Sequence, residues 1–152
     1  MDVYQKLRPW TQIESCECNT ITDLLLIDAL TDNPIHCASC RREVDPARLG
    51  LTVQETEAVA SWFEVATALY RLWLDSGAYE AYAKAQLSDP NGQVNRDGVN
   101  LARMLSARLS TRLWMFRDTD DPEPTQCPIC GEALSHHVKW GKGTCPSCPV
   151  LL

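Results

Sequence analysis

A long amphipathic helix is the clearest element that the pattern of hydrophobic and polar positions predicts. Thr52 and Glu55 have the spacing of a capping box, so a helix should begin directly after Thr52. Gly77 suits the left-handed position that closes a helix, which gives a length of about 22 residues. One side of this helix is apolar and carries Ala58, Val59, Trp62, Phe63, Val65, Ala66, Leu69, Tyr70, Leu72 and Trp73. We therefore expect this helix to pack against the core.

Two shorter helices and a strand are predicted after the long helix. The first should span residues 78–87 and end at the turn sequence of residues 88–92. The second should span residues 95–110, with Gly98 weakening its first turn. Residues 112–116 have the composition of a strand. The middle of the chain is thus expected to form a helical hairpin or a small bundle.

The N-terminal part of the chain is less regular. Residues 11–18 and 34–37 are predicted to be extended. Residues 20–30 are ambiguous, because Thr22 can cap a short helix while the apolar run at residues 24–27 fits a buried strand equally well. Of the two, we favour the helix.

Eight cysteines in four close pairs add the main chemical feature of the chain. The last two pairs form the spacing C-x2-C-x14-C-x2-C, which is close to that of a four-cysteine zinc ribbon. Gly131 can adopt the left-handed backbone of such a turn. Pro149 follows the last cysteine and cannot donate an N–H, so one backbone bond to sulfur should be missing there. These pairs predict one zinc ion held by Cys127, Cys130, Cys145 and Cys148.

The first two pairs have the wider spacing C-x-C-x18-C-x2-C. In an extended segment the first two sulfurs lie on the same side, so that both can reach one ion. Zinc is therefore also the preferred interpretation of Cys16, Cys18, Cys37 and Cys40. Disulfides are disfavoured because residues 1–10 lack the apolar core of a signal peptide, which indicates a reduced, cytoplasmic protein. A redox dithiol is disfavoured because its motif normally opens a helix in a βαβ unit.

Composition and charge limit the classes of partner. The chain has 152 residues, is 45% hydrophobic and carries a formal net charge of −6, which two four-thiolate zinc sites would make more negative still. Such a charge disfavours phosphate binding by the molecule as a whole, so nucleic-acid binding needs a local basic patch. No apolar run is long enough to span a membrane, and no motif of a nucleophile, a phosphate-binding loop or a catalytic metal site is present. We expect a non-enzymatic protein.

Two small basic clusters are the candidates for such a patch. Lys139, Trp140 and Lys142 lie in the glycine-rich loop of the C-terminal ribbon, where a ring can stack on an unpaired base and the lysines can follow its backbone. Trp140 can instead pack over its own ribbon. Arg41 and Arg42 follow Cys40 and form the second cluster, although they can equally serve to neutralise a dianionic metal site.

The four C-terminal cysteines resemble those of zinc-ribbon proteins over about the last quarter of the chain. More loosely, Cys37 and Cys40, residues 69–77 and the closing ribbon look like a family of uncharacterised bacterial proteins that are described as zinc-ribbon-containing, with a suggested role in nucleic-acid binding. The resemblance implies a bacterial, cytosolic protein with no known reaction.

Together these features predict an α+β protein with three segments. Residues 1–50 and 118–152 are expected to be zinc-binding lobes, the latter a zinc ribbon, on either side of a helical segment at residues 51–117, with two zinc ions bound in all. The expected function is a binding module for single-stranded nucleic acid or a nucleic-acid-bound protein. The alternative is an adaptor that binds a protein partner through the acidic helical body.

Overall fold

The computed structural model of the chain describes residues 2–7, 15–28 and 30–152 and confirms an α+β protein. A 3-10 helix at Val3–Leu7 is followed by β1 (Asp23–Leu26), β2 (Ile35–Cys37) and a second 3-10 helix at Pro46–Leu49. The helices α1 (Val53–Asp75), α2 (Glu80–Ser88) and α3 (Gln93–Leu105) come next, and β3 (Ser110–Trp114) and β4 (Val150–Leu151) complete the fold. No helix among these residues is long and apolar enough to cross a membrane.

The start of α1 is formed by the predicted capping box. The Thr52 hydroxyl accepts a bond from the backbone N–H of Glu55 (3.1 Å), and the Glu55 carboxylate accepts one from the N–H of Thr52 (2.7 Å). The same carboxylate binds Arg108 at 2.6 Å. Gly77, just beyond the helix, has the predicted left-handed backbone, with φ of 63°.

The helix favoured for residues 20–30 is wrong, because this segment contains β1. The run Leu24–Leu25–Leu26 is apolar at every position since the strand is covered on both faces. Leu24 and Leu26 belong to the main core with the helices, while Leu25 belongs to a second cluster on the opposite face of the sheet. Of the two predicted extended pieces, residues 34–37 contain β2, and residues 11–14 of the other lie outside the described residues.

One four-stranded sheet, in the order β2-β1-β3-β4, connects the whole fold. β1 pairs antiparallel with β2 and parallel with β3, and β3 pairs parallel with β4. The sheet therefore takes strands from each of the three predicted segments. Each edge strand has a cysteine at or near one of its ends. Cys37 is the last residue of β2, and Cys148 lies two residues before the start of β4.

The helices cover one face of the sheet closely. A Cβ atom built on Gly98 of α3 would lie 2.9 Å from a methyl group of Leu113 on β3 and 3.1 Å from the indole nitrogen of Trp62 on α1. Gly98 was expected only to weaken its helix. In the structure it allows α3 to approach the sheet, while the other face of the sheet remains available to the C-terminal ribbon.

Candidate metal centres and the surface between them

All eight cysteines lie in two groups of four, as the sequence predicted. The N-terminal group contains Cys16, Cys18, Cys37 and Cys40, and the C-terminal group contains Cys127, Cys130, Cys145 and Cys148. Within each group every sulfur lies within 4.8 Å of the others, and none of the eight cysteines forms a disulfide. Around a zinc ion with Zn–S bonds of about 2.3 Å, the sulfurs of a tetrahedron are about 3.8 Å apart. The donor set and its spacing therefore fit one metal ion in each group.

The two C-x2-C turns that follow Cys37 and Cys127 have the same backbone structure. The N–H of Arg41 donates to the carbonyl of Cys37 (2.7 Å), and the N–H of Gly131 donates to that of Cys127 (2.9 Å). Both donors have positive φ, 61° for Arg41 and 80° for Gly131. The left-handed position expected at Gly131 is thus confirmed, whereas in the N-terminal group a non-glycine residue occupies it.

Backbone N–H groups are distributed unequally among the sulfurs of the C-terminal group. Cys145 accepts bonds from Ser147 (3.3 Å) and Cys148 (3.2 Å). Burial raises the pKa of Cys145, but these two donors, together with the neighbouring thiols of Cys130 and Cys127, outweigh it and leave that pKa below its ordinary value. Burial and the sulfur of Cys130 raise the pKa of Cys148 to about 12.

The bond predicted to be missing at the last cysteine is indeed absent among the described residues. Pro149 carries no N–H, and the N–H of Val150 donates to the carbonyl oxygen of Cys148 (2.8 Å) instead of to its sulfur. The two sulfurs of this knuckle, those of Cys145 and Cys148, are therefore stabilised as thiolates to different extents by the backbone around them. A bound divalent ion requires all four sulfurs as thiolates.

Arg48 holds the C-x-C segment of the N-terminal group in place. Its guanidinium donates to the carbonyl oxygens of Cys16 (2.8 Å) and Cys18 (2.6 Å). The N–H of Cys16 is bonded in turn to the carbonyl of Glu43 (2.7 Å). The role of Arg48 was missed in the sequence, because no local pattern connects an arginine to carbonyl groups 30 and 32 residues earlier.

Neither four-cysteine group includes a histidine within the described parts of the chain. His36 is buried, and its ring nitrogens lie 3.0 Å from the carbonyl oxygen of Arg41 and 2.9 Å from that of Asn33. The ring therefore supports the turn that carries Cys37 and Cys40. His136 similarly lies 2.8 Å from the carbonyl oxygen of Lys142. Both rings thus contact backbone carbonyl groups that hold the local turns.

The loop of the C-terminal ribbon docks against the N-terminal metal group. The indole N–H of Trp140 donates to the carbonyl of Ala38 (2.6 Å), and the ammonium group of Lys139 donates to that of Ser39 (2.5 Å). Ala38 and Ser39 are the two residues between Cys37 and Cys40. Trp140 therefore bridges the two cysteine-containing segments, since it packs in one cluster with Leu25 of β1 and Leu151 of β4.

Three of the five proposed nucleic-acid-binding residues are brought together by this docking. The guanidinium of Arg41 lies 4.8 Å from the ring centre of Trp114 and 5.5 Å from that of Trp140, and the ammonium of Lys139 lies 5.2 Å from Trp140. Lys142 pairs instead with Glu123 at 3.2 Å. Arg42 is exposed, and no ion pair or side-chain hydrogen bond of Arg42 is found within the described parts of the chain.

A cavity of about 440 Å³ opens beside these residues, on the sheet face opposite the helices. Arg112 and His137 line this cavity together with Lys139 and Trp140, and Arg41 lies next to Trp140. We call these five residues the cationic face. No sequence pattern pointed to Arg112, since it lies within a predicted strand. The cavity is lined by Asp23, Leu25, Ala38, Ser39, Arg112, His137, Val138, Lys139, Trp140, Thr144 and Leu151.

A second concave surface lies among the three helices, away from the cysteines. This groove has a volume of about 620 Å³, and its apolar wall includes Val65 and Tyr82, which are 55% and 59% exposed. Trp62 lies at its base, where the indole N–H donates to the carbonyl of Val94 (2.9 Å). Asp97 contributes a carboxylate. The groove is the main apolar feature of the helical body.

Comparison with protein-family models, with curated proteins and with solved structures finds no significant match to the chain.

Proposed function

We propose that both four-cysteine groups hold structural zinc ions. The observation that supports this most directly is the convergence of four sulfurs in each group without a disulfide. Thiolates favour zinc over hard cations such as magnesium, and four protein ligands leave no open position for a substrate or an activated water. The ions would stabilise the two lobes, so we further propose that the protein binds a partner and does not catalyse a reaction.

The proposed partner is single-stranded nucleic acid, alone or within a complex, and the cationic face is its contact surface. Arg41, Arg112 and Lys139 are far apart in sequence, yet the fold gathers them on one surface of a chain whose net charge is −6. A local cluster of this kind overcomes the unfavourable overall field at short range, where salt screens the distant acidic groups. The rings of His137 and Trp140 beside it offer surfaces on which bases can stack.

Charge reversal on the cationic face tests this function. The variant Arg41→Glu with Lys139→Glu is compared with Arg96→Glu and Arg103→Glu, two exposed positions on α3, because both pairs change the net charge equally. Binding of labelled oligothymidine, measured by fluorescence anisotropy at several salt concentrations, should weaken at least about tenfold more in the first pair, with a shallower dependence on log salt. Metal content is measured alongside to confirm intact lobes. Equal weakening in both pairs would refute the cationic face as the contact.

A protein partner is the second candidate, and the groove among the helices favours it. The exposed Val65 and Tyr82 line its apolar wall, and Asp97 gives it a negative charge. These features fit an amphipathic helix with basic flanking residues. Because the apolar wall would carry most of the contact, binding of such a partner should depend on salt less steeply than strand binding does. It should weaken on Val65→Asp, whereas binding to the cationic face should not respond to that substitution.

A further inference from the structure

Arg112 is a half-buried cation without a partner among the described residues. It lies on β3 opposite Leu25 of β1, and it shares the outer face of the sheet with Trp114. Its Nε atom is buried and has no hydrogen-bond partner, and no carboxylate of the described residues lies within 4.0 Å of its guanidinium. An arginine nitrogen that is removed from water is normally bonded to an acceptor. The buried Nε atom of Arg112 therefore points to a ligand that supplies an acceptor at this position.

The cavity in front of Arg112 can accommodate such a ligand. Its volume of about 440 Å³ lies in the range of small-ligand sites. Lys139 and His137 line the same cavity and can donate further hydrogen bonds, while Leu25, Val138 and the ring of Trp140 supply an apolar wall. A ligand with one anionic group and one flat apolar part would use both kinds of surface.

The carboxylate of Asp23 limits the kinds of ligand that can bind in this cavity. It lines the same cavity and precedes Leu25 by two positions on β1, so it lies diagonally across from Arg112 without pairing with it. A carboxylate in this position repels a bare anion but accepts hydrogen bonds from hydroxyl or amino groups. A nucleotide carries those donors, a flat base and a phosphate on one molecule.

We propose that this cavity binds the phosphate group of a nucleotide unit and that Arg112 is its principal ligand. The guanidinium would bind two phosphate oxygens at once, a geometry that lysine cannot reproduce. The proposal rests on the proposed nucleic-acid function but places recognition at one defined unit of the strand. The same phosphate chemistry can come from a free nucleotide or from a strand, and the experiment separates these sources.

The test uses the metal-bound full-length protein and three probes: adenosine 5′-monophosphate, adenosine without phosphate, and an oligothymidine strand. Affinities are measured by calorimetry and by tryptophan fluorescence for the wild type, Arg112→Gln, Arg112→Lys and the exposed control Arg103→Gln. We expect Arg112→Gln to weaken binding of the phosphate-bearing probes about 10- to 100-fold. Arg112→Lys should be intermediate, and Arg103→Gln should be unchanged. Thermal melting of each unliganded variant checks that the fold is retained.

The possible results separate failure of the nucleotide site at Arg112 from failure of the proposed strand-binding function. If adenosine binds as tightly as its monophosphate, or if Arg112→Gln leaves the affinities for the monophosphate and the strand unchanged, the proposal is overturned. If the wild type binds the monophosphate through Arg112 but does not bind the strand, the cavity stands as a nucleotide site and the strand-binding function is refuted. Loss of strand binding in Arg112→Gln, without measurable monophosphate binding by the wild type, identifies the strand as the source of the phosphate.

Discussion

Removing two sulfurs from the C-terminal group should detach β4 from the sheet. The substitution Cys145→Ser with Cys148→Ser leaves only two thiolates, which are too few to hold a structural zinc ion. The second substitution lies two residues before β4, whose residues Val150 and Leu151, with the following Leu152, are 0%, 3% and 6% exposed. The anchor of three buried side chains would thus be lost together with the ion.

The structure indicates the size of this effect. Burial of one large aliphatic side chain contributes about 1.5–3 kcal/mol, so the three side chains together contribute on the order of 5–9 kcal/mol. A structural zinc site contributes about 10–16 kcal/mol of apparent binding free energy at neutral pH. Either quantity is comparable with the whole stability of a typical domain, about 5–15 kcal/mol. We therefore expect the loss to extend beyond the ribbon into the sheet.

Native mass spectrometry and hydrogen exchange measure the two parts of this prediction. The wild type should carry two metal ions, and the double variant should lose the C-terminal one. The amides of Leu113 and Met115 donate to the carbonyls of Pro149 and Leu151, both at 2.8 Å, so their exchange should accelerate at least about 100-fold. Ser147→Ala, in the same turn, keeps all four sulfurs and should behave as the wild type. Unchanged protection of the two amides in a variant without the C-terminal ion would refute the reasoning.

Two further predictions concern residues outside the C-terminal cysteine group. Asp28 has one carboxylate oxygen without a partner among the described residues, and burial raises its pKa from 3.8 to about 6. Folding therefore favours the protonated form of Asp28. The stability that this protonated form contributes is lost as pH rises through 6. Asp28→Asn should therefore raise the free energy of unfolding at pH 8 by about 1–3 kcal/mol, with a smaller gain at pH 5, as measured by urea denaturation; an equal gain at both values would contradict this cause. Arg48→Ala should release the segment of Cys16 and Cys18 and weaken metal binding there about 10- to 100-fold in competition with a chelator. The control is Arg103→Ala, at an exposed position of α3. Equal metal affinity in these two variants would show that the bonds of Arg48 do not support the site.

Local signals predicted the three helices of the fold, although α3 ends at Leu105 and not at residue 110, and β3 begins at Ser110 and not at residue 112. Thr52 and Glu55 are three residues apart, and their capping box depends only on the chain around them. Gly77 likewise closes its helix through its own backbone freedom. The cysteines were also assigned to the right groups of four, because a C-x2-C turn places both of its sulfurs near one point and because four pairs fit two tetrahedral sites.

The segment at residues 20–30 was assigned wrongly because local information does not distinguish its two structures. The apolar run of Leu24 to Ile27 fits a buried helix or a strand covered on both faces. The partners that decide between them are β3, almost 90 residues later, and the ribbon that covers Leu25. The position of Trp140 depended in the same way on a contact with Ala38, about 100 residues away.

The sequence by itself determined that three helices lie in the middle of the chain, how the first of them begins, and which cysteines form the two groups of four, because each depends on residues whose spacing along the chain fixes their geometry. Only the tertiary structure decided that β1 is a strand, that Arg48 supports a metal group, and that Arg41, Arg112 and Lys139 share one surface. These features depend on pairing and packing between distant segments, and the free energy of such contacts is set by which surfaces the whole chain can bury together.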